Sequence, residues 1–183
     1  MDVVPVAGGV AALLVAATLV AGAAGMAGGS ERGRPWLLVL HGFHLGRPGV
    51  SHEALRAVEP VDVLLLALAG VAYAGWWPGP GGSHVWWMAL AVAQPVLGIA
   101  ILVATRLAGR SGLMGGALVL SVLMLVDDPT AGAGWLGAVA AVLLLVGDLA
   151  TTERPRRRLA PVIAAGYAAL VGWFGWVAVL LLT

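Results

Sequence analysis

Almost at its start the chain runs VPVAGGVAALLVAATLVAGAAGM over positions 4–26, with no charged residue and Thr18 as the only hydroxyl. This is the feature that most limits what the chain can fold into. A helix rises about 1.5 Å per residue, so roughly 20 apolar residues cross a hydrocarbon core of about 30 Å. Lipid offers the backbone no hydrogen-bond partner, so such a run must bond internally as a helix. Five further stretches approach the same character: 61–77, 85–105, 112–126, 134–151 and 159–182. The pattern predicts an all-α integral membrane protein. Residues 1–183 form a single bundle of about six transmembrane helices, with a cytoplasmic loop at 27–60. A short interfacial or re-entrant helix at 35–46 is compatible with that scheme; the stretch is too short to cross.

Composition agrees. Only 10% of the residues are charged and 61% are apolar, where a soluble domain carries about 25% charged residues. Too few charges are present to cover a water-facing surface, so the bilayer is the expected solvent. A net charge of +1 provides no basic field for nucleic acid. The chain has no cysteine, which removes disulfides, thiolate catalysis and cysteine-ligated metal clusters. Its basic residues are all arginine, so lysine Schiff-base chemistry is also excluded. Preference for Ala, Gly, Val, Pro and Arg suits a GC-rich bacterial genome.

The arginines set the orientation. Arg32, Arg34, Arg47 and Arg56 follow the first stretch, Arg106 and Arg110 the third, and Arg154, Arg156, Arg157 and Arg158 the fifth. With six spans all of them fall on one face, which the positive-inside rule makes cytoplasmic. The expected location is therefore the inner cell membrane, with both termini outside. Asp2 and the absence of arginine before the first apolar run argue against a cleaved signal peptide. Trp76, Trp77, Trp86, Trp87 and Trp135 fall at outer helix ends, as interfacial anchors do; Trp173 and Trp176 do not fit this belt. Small residues at Ala17, Ala21, Gly25 and Gly29, at Gly112 and Gly116, and at Gly166, Gly172 and Gly175 offer close-packing ridges.

Few polar residues lie at membrane depth. Asp148, after LLLVG in the fifth stretch, is read either as a proton, cation or substrate ligand or as a partner for nearby arginine or water. Gln94-Pro95 falls mid-way along the third stretch. Proline frees the carbonyl four residues back, so the pair either lines a polar cavity or fixes helix packing. Asp62, with Glu59, suits capping at the start of the second span. Asp127 and Asp128 suit a solvated helix end, and Trp76 to Trp87 a tight outer hairpin.

The segment HGFHLGRPGVSHEALR (41–56) holds three of the four histidines. His41, His44, His52 and Glu53 are weak candidates for a metal or a partner protein. Glycines and proline loosen the segment and no fixed-spacing metal motif is present, so no metal or cofactor is expected. VSHEALRAVEP reads as a short amphipathic helix on the inner surface. Arg154, Arg156, Arg157 and Arg158 suit anionic lipid headgroups.

Three functions follow in order. The first is a non-catalytic subunit or accessory component of a larger membrane complex, with other membrane subunits or a second copy as partner. The second is a small-solute or ion transporter with a path near Gln94, Pro95 and Asp148. The third is an intramembrane enzyme acting on a lipid.

Overall fold

The computed structural model describes residues 3–27, 52–76, 84–105, 111–126, 130–148 and 153–183. Among them lie six helices and no strand: α1 Val3–Ala27, α2 His52–Ala74, α3 Val85–Thr105, α4 Ser111–Val126, α5 Ala131–Asp148 and α6 Glu153–Leu182. Three contain segments long and apolar enough to cross a membrane: Val3–Ala21, Val85–Val103 and Pro161–Leu182. Asp62–Ala74, Gly112–Val126 and Ala131–Val146 are apolar but shorter.

Each helix packs against its neighbours in the chain, and α1 closes against α6, so the six form a ring. Neighbours run antiparallel, as their close approaches show. A Cβ built on Gly8 would lie 2.6 Å from Gly75 Cα at the end of α2, and one on Gly9 would lie 2.6 Å from the Leu182 side chain at the end of α6. Gly134, early in α5, sits against Leu125, late in α4, and Gly166 of α6 against Leu144 of α5. One end of the ring therefore gathers the starts of α1, α3 and α5 with the finishes of α2, α4 and α6. All the arginines belong by sequence to the opposite end or to the segments that join helices there.

The interior of the ring is filled. Tyr73 of α2 and Trp173 and Phe174 of α6 are fully buried. Trp173 and Phe174 meet edge to face at 4.9 Å, and Tyr73 lies about parallel to Phe174 at 6.1 Å. These are favourable arrangements for aromatic quadrupoles. The Tyr73 hydroxyl donates a 2.7 Å hydrogen bond to the Leu113 carbonyl on α4, which ties two helices across the ring. Gly116 makes the crossing feasible: a Cβ there would collide with the Tyr73 ring.

Several sequence expectations change. α2 begins at His52 and runs unbroken through Pro60, so the amphipathic segment and the apolar one are a single helix, and the expected loop to position 60 is shorter. Asp62 is then the eleventh residue of its helix and buried. It cannot cap an end, because only the first turn has free N–H groups. α6 begins at Glu153, so ERPRRR is its first turns rather than a loop; Pro155 fits there because first-turn N–H groups have no helical partner. α5 occupies 131–148 instead of 134–151. Thr130, a good N-cap residue type, immediately precedes it, and its hydroxyl donates to the Met124 carbonyl near the end of α4.

The α1 ridge also differs. Ala17 and Ala21 are exposed, while Gly8, Gly9, Ala11, Ala12, Val15, Ala16 and Leu19 face the ring. By contrast Gly112, Gly116 and Gly166 are buried in helix contacts, as expected, whereas Gly172 is exposed and a Cβ on Gly175 would meet nothing within 4 Å, so these two do not extend the α6 ridge. Trp86, Trp87 and Trp135 are exposed, the first to 85%, at the end away from the arginines. Trp176 joins them: it is exposed and lies against Gly132 at the start of α5. Trp76, at the same end, is half-buried against the core.

Candidate functional site

The described residues enclose a cleft of about 320 Å³ at the tryptophan end of the ring. Trp76 from the end of α2, His84 and Met88 from the start of α3, Leu120, Leu123, Met124 and Val126 from α4, and Thr130 before α5 line it. Local structure explains the grouping. Gly75 and Trp76 close the last turn of α2 through hydrogen bonds to the Val71, Ala72 and Tyr73 carbonyls. His84 opens α3, its carbonyl accepting the first helical bond from the Met88 N–H at 3.0 Å. His84 and Met88 are four apart and so share a helix face. The Thr130 bond to Met124 pins the α4–α5 turn on the far side. His84 is exposed at the mouth, whereas Met88 and Met124 are buried in the walls. The walls are predominantly apolar.

The residues singled out from sequence do not assemble here. Gln94 is packed into the α3–α4 contact: a Cβ on Gly115 would lie 2.8 Å from Gln94 Oε1, and one on Gly112 would strike its carbonyl oxygen. Pro95 is fully buried, with Gly70 of α2 opposite it. Its missing N–H leaves the Ala91 carbonyl without its helical donor. A Cβ on Gly116 would lie only 2.8 Å from that oxygen. Glycine thus lets the α4 backbone approach the freed carbonyl, where a weak Cα–H contact is favourable. In this structure Gln94-Pro95 is part of a close-packed seam.

Asp148 is the last residue of α5, at the arginine end, and α4 stands between α3 and α5 in the ring. Gln94 and Pro95 are therefore not brought together with Asp148. His52 and Glu53 are the first two residues of α2. Arg154, Arg156, Arg157 and Arg158 fall in the opening turns of α6. His41, His44, Trp77, Asp127, Asp128 and the 35–46 segment lie outside the described residues. Among the described residues no three of His, Cys, Asp or Glu gather as metal ligands.

Sequence reasoning missed two features. Asp62 is a buried carboxylate well inside a helix. Ser121 Oγ on α4 and Trp173 Nε1 on α6 are both buried without a hydrogen-bond partner, and both crowd the Gly137 backbone on α5. The available signal for the cleft was the four-residue spacing of His84 and Met88.

No family model, curated protein or solved structure matches this chain. The fold and the cleft are thus the only grounds for a functional reading.

Proposed function

We propose that this protein is a polytopic inner-membrane helical bundle, most of whose surface is solvated by lipid, serving as a non-catalytic subunit or accessory component of a larger membrane complex. In this reading all six helices cross the bilayer. The shorter α4 and α5 are accommodated by local thinning, which costs fractions of a kcal/mol per Å of mismatch. The arginine end faces the cytoplasm, where the basic first turns of α6 meet anionic headgroups.

The observation that carries the reading is the filled interior. Tyr73, Trp173 and Phe174 occupy the space where a conduit would run, and all three are fully buried. A transporter needs polar groups in sequence along a path. Among the described residues the Tyr73 hydroxyl is bonded to Leu113 and Gln94 is packed against glycine. A path through Gln94, Pro95 and Asp148 has no continuous geometry to support it.

The test is affinity purification of the full chain from its native membrane in mild detergent. A stoichiometric membrane partner is the expected outcome. A monodisperse monomer with nothing bound, combined with loss of a solute flux in Asp148→Asn or Gln94→Ala cells, would sink the subunit reading in favour of transport.

A further inference from the structure

Two of the chain's five methionines and one of its four histidines line the same cleft. Helix register brings them close. Gly116 of α4 lies against Ala91 of α3. These helices are antiparallel, so a turn toward the tryptophan end sets Met88 opposite Leu120, and the next sets His84 opposite Met124. The cleft thus presents two thioethers and an imidazole within two helical turns, with the Trp76 ring on its wall. We infer that this cleft binds a soft monovalent cation, copper(I), through Met88, Met124 and His84.

Ligand chemistry selects the ion. Thioether sulfur is a soft, uncharged donor that favours copper(I) over the harder divalent ions. Zinc takes imidazole, thiolate and carboxylate, and no three of His, Cys, Asp or Glu gather among the described residues. A monovalent ion carries less charge into an apolar wall than a divalent one and so costs less to bury, and Trp76 lines the same wall. Methionine's three rotatable bonds let Met88 and Met124 turn their thioethers toward the ion without leaving the wall. The His84 imidazole is already exposed at the mouth. The chain has no cysteine, so no thiolate competes for the ion. This inference does not depend on the protein being a subunit, since it concerns binding alone.

The experiment uses the full chain in detergent, stripped with chelator and dialysed against silver(I), a redox-inert stand-in, or against copper(I) with a competing chelator. Zinc(II) is dialysed in parallel. The expected result is one silver or copper ion per chain and no stoichiometric zinc. Met88→Leu combined with Met124→Leu should weaken silver binding by at least about tenfold, the lower end of what even outer-shell changes cost a metal site. His84→Gln should weaken it severalfold, whereas replacing His41, His44 and His52 together with Gln should leave it unchanged. Leucine conserves the methionine volume, so the double variant should stay folded. If it does not, His84→Gln decides, because that side chain is exposed and supports no packing. Unchanged silver affinity in the His84 and methionine variants, loss only in the triple-histidine variant, or no stoichiometric binding to the parent overturns the inference.

Discussion

Gly137 is the tightest three-helix junction in the ring and makes the packing directly testable. A Cβ on Gly137 would collide with both Ser121 Oγ of α4 and Trp173 Nε1 of α6. Neither neighbour can yield easily, because Trp173 and Ser121 are both fully buried. Gly175, on α6, is the matched control: a Cβ there meets nothing within 4 Å. Glycine to alanine inside a helix gains about 1 kcal/mol of propensity at either site. Subtracting the two variants therefore cancels propensity and isolates the steric cost, about 1–3 kcal/mol for overpacking a full core. Gly175→Ala should be neutral to stabilising, and Gly137→Ala should unfold earlier. For a chain of this size the difference corresponds to about 2–12 °C in Tm, read by tryptophan fluorescence in one detergent. Removing the hydroxyl with Ser121→Ala eliminates one of the two colliding atoms and a buried unpaired polar group, so it should recover part of the Gly137→Ala loss. That coupling would appear as non-additivity in a double-mutant cycle. Equal melting of Gly137→Ala and Gly175→Ala, or strict additivity with Ser121→Ala, would refute the α4–α5–α6 packing described above.

Tyr73→Phe keeps the ring against Phe174 and deletes only the bond to Leu113. It should cost about 0.5–1 kcal/mol, since helix–helix hydrogen bonds in membranes average about 0.6, measurable in the same melts. The absence of cysteine permits a clean topology test. Thr183→Cys should react with a membrane-impermeant maleimide from outside the cell, and Thr151→Cys should react only after the membrane is opened. The reverse labelling pattern would invert the proposed orientation.

The helices were legible in the sequence where apolar length alone decides them. α1, α3 and α4 begin and end within a residue of the apolar stretches, because Thr105 and the Asp127-Asp128-Pro129 stop punctuate clearly. α2 and α6 start earlier than apolarity suggests, because a helix can continue into a polar segment that hydropathy treats as loop. His52–Ala74 passes from HEALRAVE into the apolar run with no change of conformation. Asp62 was misplaced for the same reason: its position relative to the helix start follows from where the polar extension begins. The candidate cleft was hardly legible. Met88 and Met124 stand far apart in sequence, each indistinguishable from core filling, and only the antiparallel α3–α4 register unites them. Gln94-Pro95 was seen, but its role turned on Gly112, Gly115 and Gly116, whose partner helix no local pattern names.

Closure of α1 against α6 has a consequence for biosynthesis. The inward face of α1, with Gly8 and Gly9 fitted against Leu181 and Leu182, is made before the other five helices of the ring, yet its partner α6 is the last of the six to leave the ribosome. Until then that face has only α2 to meet, and the gap between α1 and α5 stands open to lipid or to another membrane protein. Variants that slow insertion of α6 should therefore lower the yield of assembled protein even when the finished ring is as stable as the parent. Loss of Gly9, whose neighbours are all on α6, should act at the same late step, whereas a Cβ on Gly8 would already clash with Gly75 when α2 packs.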